Sequence, residues 1–189
     1  MRTMNIVLTI YARHQGGTAL VMSLIFLLIL TILGVGALNT TALQEKMAAN
    51  SKEKNTAFQS AETGLLAAET WISQQISKPI FPNNASGLYL PSTTGEPIWN
   101  SNSLWTGNTN LVIYPNTPTQ TVSGGLSSVA SQPKFIIEDL GEVPEVGGSK
   151  VLPGAYKGKG NTVLRVTSHG AGATTAAQAQ VQSTYARAY

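Results

Sequence analysis

The chain contains no cysteine among its 189 residues. Structural disulfides and the common thiolate zinc sites are therefore excluded, although an oxidising compartment would have permitted disulfides. Charge is also scarce, since Glu96 is the only charged residue between Lys78 and Lys134. The formal net charge is +3, but Arg2 and Arg13 precede the first apolar run. Without them the charges nearly balance, so a broad affinity for nucleic acid is not indicated.

A long stretch without charge runs from His14 to Gln44, and its core from Ala19 to Leu38 is almost wholly apolar. A helix of about 20 such residues spans the ~30 Å hydrocarbon layer of a membrane. The sequence therefore predicts a membrane-spanning helix over residues 18–40. An ordinary secretory signal is cut behind its apolar region. Here the small residues Gly16 and Gly17 precede the apolar run, so a cut at that point would leave the run in the mature protein.

The helical pattern continues beyond this apolar run. Between Glu45 and about Ser77 there is no proline, and helix-forming residues dominate. Lys78 precedes Pro79 and should end the helix, because the residue before proline avoids the helical region. We predict one long helix over residues 18–78, with an amphipathic part over 41–78 and Trp71 in the core. The apolar face is predicted to contain Leu43, Met47, Phe58, Ala61, Leu65, Ala68, Ile72 and Ile76.

Residues 79–189 are predicted to complete one small globular domain. The part from Pro79 to Pro133 is rich in loop-forming residues but too apolar for a solvated linker, which indicates a folded connection with short strands. Strands are predicted near Leu111 and over residues 135–138, 163–168 and 178–185. They should form an antiparallel sheet of about four strands over the helix. The fold class is therefore α+β.

The aromatic residues and the acidic stretch of this domain allow more than one interpretation. Trp99, Trp105 and Tyr114 suit core packing, or else an aromatic patch that binds a partner. The acidic stretch over residues 138–145 lacks the spacing of a calcium loop and suits an exposed turn. We expect His169 to lie in the loop between the last two strands.

No pattern of catalytic residues, phosphate-binding loop or nucleotide fingerprint stands out in the sequence. The prediction is a protein that is not an enzyme, with no catalytic residues, no cofactor and no metal site.

Two blocks of sequence resemble a known family. The basic leader ending in glycine, followed by an uncharged helix with an amphipathic extension, resembles the type IV pilin and pseudopilin superfamily. Within that superfamily, LNTTALQEKMAANSKEKNTAFQSAETGLLAAE (residues 38–69) looks like the PilX-type minor pilins, and VLRVTSHGAGATTAAQAQVQSTY (residues 163–185) resembles their C-terminal hairpin. The resemblance implies a pilin-like fold.

The resemblance also implies processing by a prepilin peptidase. Residues 1–17 would be the leader, cut after Gly17, with Thr18 as the N-methylated mature terminus. A cut after Gly16 would shift this register by one residue, and Met4 is an alternative start.

In the preferred register Met22 is the fifth mature residue, where major pilins typically have Glu. The resemblance implies that this carboxylate attracts the terminal amine of the preceding subunit, so a chain without it suits a place at or near the filament tip. Otherwise Met22 is simply one more lipid-facing residue. Gly34 and Gly36 could let the helix melt during assembly, or could allow close helix packing.

The predicted function is that of a minor pilin that helps to prime the assembly of a type IV pilus. Its implied partners are other minor pilins, the major pilin, a large tip adhesin, the prepilin peptidase and the inner-membrane assembly platform. Twitching motility and cell adhesion are the implied processes. The precursor would cross the bacterial inner membrane once, with residues 79–189 in the periplasm, before it enters the pilus. Two alternatives remain: a type II secretion pseudopilin, and a membrane-anchored periplasmic binding or enzymatic domain.

Overall fold

The computed structural model describes residues 16–82, 86–93, 95–107, 110–143 and 160–189. The chain divides into two compact units, Met1–Ala48 and Ala49–Tyr189. The predicted leader, apart from Gly16 and Gly17, lies outside the described residues, as do Pro144 and Glu145 of the acidic stretch.

The long helix α1 extends from Gly16 to Gln74. It was predicted to continue to Lys78, and it ends four residues earlier. At its C-terminal end, carbonyl oxygens accept hydrogen bonds from groups other than the N–H four residues later. The backbone N–H of Gln75 donates to Ile72 O (3.2 Å), and the Gln75 side-chain amide donates to Trp71 O (3.0 Å). The guanidinium group of Arg187 also donates to Ile72 O. These bonds satisfy carbonyls that would otherwise be left unpaired at the helix end.

The described residues form a sheet of five strands: β1 Leu88–Tyr89, β2 Val112–Ile113, β3 Lys134–Val143, β4 Asn161–Ala171 and β5 Gln178–Arg187. Their order β1-β3-β4-β5 places β5 at one edge, while β2 also pairs with β3. The predicted antiparallel arrangement is correct for β2, β3, β4 and β5. Strand β1 was not predicted, and it runs parallel to β3, so the sheet is mixed.

One face of the sheet packs against residues of α1 in the second unit. The helix contributes Ala68, Trp71 and Ile72 to this core, as predicted for all three. Nearer the N terminus of α1 the buried residues are small, and include Ala57 and Ala61. The sheet residues that form the core with Ala68, Trp71 and Ile72 are Leu88, Val112, Phe135, Ile137, Leu164 and Val166.

Four residues of the predicted apolar face of α1 are exposed. Leu43 (60%) and Met47 (63%) lie in the first unit, and in the second unit Phe58 is 48% exposed and Ile76 is 97% exposed. Ile76 follows the end of the helix, so it no longer shares the helical face. Phe58 is displaced because the neighbouring small residues, rather than the large ones, face the sheet.

The opposite face of the sheet carries a second core made by the loop-rich segment. Side chains of successive strand residues point to opposite faces, so Ile136 faces away from the helix when Phe135 and Ile137 face towards it. Ile136 is buried with Tyr89, Trp105 and Leu111. This segment also contains the turn Ile98–Asn100, a 3-10 helix, and the short helix α2, Asn102–Thr106. The predicted folded connection is thus a layer that covers the sheet.

The approach of α1 to β4 generates the first prediction. A Cβ atom at Gly170 would lie 2.6 Å from Ala57 O and would also meet the backbone nitrogen of Ala61. Gly170→Ala should therefore lower the free energy of unfolding by about 3 kcal/mol, because helix backbone cannot move aside as a flexible side chain can. Urea unfolding of the full chain in detergent, followed by tryptophan fluorescence, measures the change. The control is Gly36→Ala, where a Cβ atom meets nothing within 4 Å. Equal unfolding midpoints for the two variants would contradict the prediction.

Candidate assembly site

The part of α1 over residues 19–38, in the first unit, presents an almost wholly apolar surface. The helix is long and apolar enough to cross a membrane, with a mean hydropathy of 2.7 over its most apolar window. Every residue from Gly17 to Asn50 is exposed. Water cannot cover so much apolar surface without a large free-energy cost. This part of α1 therefore requires lipid or other apolar helices around it.

The hydroxyl groups within this surface are already hydrogen-bonded. Ser23 Oγ donates to Leu20 O (2.8 Å) and Thr31 Oγ1 donates to Leu28 O (2.7 Å). Thr40 Oγ1 and Thr41 Oγ1 donate to the carbonyls four residues earlier, each at 3.1 Å. A hydroxyl bonded to its own helix needs no partner in hydrocarbon. These four hydroxyl groups therefore leave no unpaired hydrogen-bond donor on the apolar surface.

The predicted processing residues lie at the start of α1. Gly17 and Thr18 are in its first turn, and Met22 is one turn further on, 61% exposed. Residues four apart lie on one face of a helix, so Thr18 and Met22 are neighbours on the surface. An acid at position 22 would therefore be close to Thr18, the predicted mature terminus, and Met22 provides none.

Gly34 and Gly36 lie within the helix and do not interrupt it. An added Cβ at either position would meet no atom within 4 Å. No contact with another described residue explains these glycines, so the surface at this level is open to a neighbouring helix. Both predicted roles, local melting and close helix packing, stay predictions.

The described part of the acidic stretch, residues 138–143, lies in β3 and is not the exposed turn that the sequence suggested. Within it, Glu138 is fully buried. The guanidinium group of Arg165 donates to both carboxylate oxygens of Glu138, through Nε and Nη2, each at 2.8 Å. These hydrogen bonds raise the pKa of Arg165. A bidentate pair of this kind is strong and geometrically specific.

The end of β3 holds the chain that leaves α1. Lys78 Nζ lies 2.9 Å from Asp139 Oδ2 and 3.8 Å from Glu142 Oε1. Its hydrogen bond to Asp139 raises the pKa of Lys78. A β-bulge separates Asp139 from Gly141, which has a φ of +97°. The acidic residues described here therefore serve the fold, and the described residues contain no cluster of three potential metal ligands.

His169 and the aromatic residues also belong to the fold. His169 lies in β4 and not in a loop, and it stacks on Trp105 with ring centroids 5.2 Å apart. Burial lowers the pKa of His169, so its imidazole is neutral at pH 7. Trp105 is buried as predicted for core packing, while Trp99 and Tyr114 are half-buried. Lys134 Nζ donates to the carbonyls of Trp105 (2.8 Å) and Gly107 (3.2 Å), which fixes α2 on the sheet.

Sequence reasoning missed two internal partners of charged residues. No role was predicted for Arg165. The alternating pattern of its strand did not indicate that Glu138 would lie opposite it on the neighbouring strand. Glu53 stood within a cluster of helix charges, yet its Oε2 accepts hydrogen bonds from Thr174 N (3.1 Å) and Thr174 Oγ1 (3.2 Å). Only the strand pairing and the packing of the hairpin turn bring these groups together.

Comparisons with known proteins agree with this geometry. The family model described as PilX N-terminal matches residues 15–66. The model described as Type IV pilus assembly protein PilX C-term matches residues 54–187. No curated protein and no solved structure matches the chain significantly.

An apolar helix that continues into a small sheet domain defines a protein of the pilin-like class. The two family matches extend over nearly the whole chain. The chain belongs to the PilX family of type IV pilus assembly proteins.

The buried ion pair generates the second prediction. Arg165→Met should lower the free energy of unfolding by about 2 to 3 kcal/mol, because Glu138 would remain buried without its partner and the partly exposed Arg165 limits the loss. The double variant Glu138→Leu/Arg165→Met should recover most of that stability, since an apolar pair of similar volume leaves no unpaired charge. Urea unfolding of both variants measures this. An unchanged midpoint for Arg165→Met would contradict it.

Proposed function

We propose that this protein is a minor pilin, a structural subunit that primes the assembly of a type IV pilus and is placed at or near the filament tip. The observation that carries the proposal is the exposed, uncharged first half of α1 in a chain of the PilX family. A surface of this kind is suited to packing against other helices rather than to catalysis. Its partners would be other minor pilins, the major pilin and a large tip adhesin.

The proposed mechanism moves the apolar part of α1 from one apolar environment to another. In the precursor the helix crosses the inner membrane, with the sheet domain on the periplasmic side. In the filament its neighbours are helices of other subunits. Since lipid and packed helices are similarly apolar, this transfer changes the hydrophobic free energy little, and close packing of the helices decides the outcome. Open glycines such as Gly34 and Gly36 favour that packing.

The start of α1 would be created by a prepilin peptidase that cuts after Gly17 and leaves an N-methylated Thr18. The positive residues Arg2 and Arg13 would hold the leader on the cytoplasmic side. Thr18 then offers a terminal amine to the next subunit. Met22 offers no carboxylate to a preceding amine, and a buried charge without a partner is costly. This asymmetry supports an early position in the filament.

Processing gives the third prediction. Mass spectrometry of the protein from its own membranes should find a mature chain that begins with N-methylated Thr18. Gly17→Val should leave the leader attached, because the bulkier residue changes the small side chain directly before the cut, whereas Gly16→Ala should be processed normally. An intact terminus at Met1 or Met4 in the unmodified protein would remove the pilin proposal. Loss of exoprotein secretion, rather than of twitching motility, on deletion would indicate the type II secretion pseudopilin.

Position in the filament gives the fourth prediction. Labelled protein should be found at one end of purified pili, and Met22→Leu should behave in the same way because it also lacks an acid. Met22→Glu should appear along the filament as well, since its carboxylate can meet the amine of a preceding subunit. Immunogold counting along single filaments measures the distribution. An even distribution of the unmodified protein would contradict a tip position.

A further inference from the structure

Strand β5 forms an open edge of the sheet. It extends over Gln178–Arg187, and within the described part of the chain only β4 pairs with it. The pairing with β4 continues without a register shift from Thr162 to Ala171. From Gln178 to Ala186 the strand has no charge, no proline and no glycine. The devices with which proteins usually block an exposed edge are therefore lacking in this strand.

The hairpin turn shows which backbone groups face outward. Gly172 N donates to Ala177 O (2.8 Å), so these two residues form a hydrogen-bonded pair. In an antiparallel ladder such pairs alternate with pairs whose N–H and C=O groups point away from each other. Counting along β5 from Ala177, the residues with outward backbone groups are Gln178, Gln180, Gln182, Thr184 and Ala186.

The same alternate residues leave the edge sterically clear. Their side chains are exposed on the sheet face that lies away from α1. Gln182 Nε2 donates to Thr167 Oγ1 (2.8 Å) on the neighbouring strand, and Gln180 Nε2 lies 3.4 Å from Trp99 O. These bonds draw both side chains back over the sheet and away from the edge. The intervening residues point towards α1, where Ser183 Oγ bonds to Glu69 Oε1 (2.6 Å).

Among the described strands, the other side of the sheet offers no comparable edge. Strand β1 has only two residues, and β3 is interrupted by the bulge at Asp139 and Gly141. Acidic side chains also follow that part of β3. A short, bulged and charged edge is protected against further pairing. The contrast singles out β5.

We propose that the outer edge of β5 binds an extended segment of another pilus subunit, which adds a strand beside β5. This proposal rests on the proposed function as a pilus subunit. A row of backbone N–H and C=O groups is matched only by another extended backbone, which fixes the kind of ligand. Because the side chains beside the edge are uncharged, the bound segment would also carry little charge.

A second copy of this chain does not suit the edge. Antiparallel pairing of two β5 strands requires a two-fold axis perpendicular to the sheet. With that axis, the segments of α1 that pack on the two sheets would run in opposite directions. Two chains anchored in one membrane by the residues just before those segments cannot adopt that arrangement. The proposed partner is therefore a different polypeptide.

Site-specific photocrosslinking in pilus-producing cells tests this directly. A benzoylphenylalanine at Thr184 of the full chain should crosslink to an uncharged segment of another pilus subunit, identified by mass spectrometry of the joined peptides. Gln182→Pro should lower the crosslinked fraction by about tenfold, since it removes an outward N–H and obstructs the edge. The matched control Gln182→Thr keeps the N–H and the strand preference and should crosslink normally.

Three outcomes would overturn the proposal: a crosslink only to a second copy of this chain, crosslinking no higher than with the probe at exposed Gln59, or full crosslinking by Gln182→Pro. A urea midpoint of Gln182→Pro equal to that of Gln182→Thr shows that the fold is intact. If Gln182→Pro unfolds, Gln180→Lys tests the edge by charge and should also lower the crosslinked fraction. Correct processing at Thr18 with no crosslink would refute the edge proposal alone, whereas an unprocessed chain would refute the proposed function.

Discussion

The fold of the second unit depends on one close contact, in which α1 lies with its backbone almost against strand β4. The contact is possible because Gly170 has no side chain and because Ala57 and Ala61 have small ones. Gly64 faces Ser168 and Pro133 in the same way. Strand β4 is the centre of the ladder that joins β3 to β5. Once α1 fixes β4, the positions of the neighbouring strands and of the layer over the opposite face follow.

Much of this architecture could be predicted from local sequence. The uncharged apolar run, the absence of proline after it and the alternating strands near the C terminus all give periodic signals. These signals located α1, β3, β4 and β5. The resemblance of two sequence blocks to minor pilins pointed to the family that the comparisons confirm.

The errors concern interactions between distant parts of the chain. The end of α1 depends on Arg187, which is 115 residues away from Ile72. The burial of Glu138 depends on Arg165, which is 27 residues away. The spacing of apolar residues placed Phe58 on the buried face. Instead, Ala57 and Ala61 face the sheet there, because the contact with Gly170 is too close for a large side chain. Strand β1 has two residues, which is too short for any periodic signal.

The hydrogen bonds of Ser23, Thr31, Thr40 and Thr41 to their own helix have a further consequence. A polar group that is satisfied internally does not have to exchange partners when its surroundings change. In the proposed mechanism, α1 would thus leave lipid, or return to it, with the same set of hydrogen bonds intact. These four hydroxyl groups would therefore oppose neither insertion of the helix into a filament nor its return to the membrane.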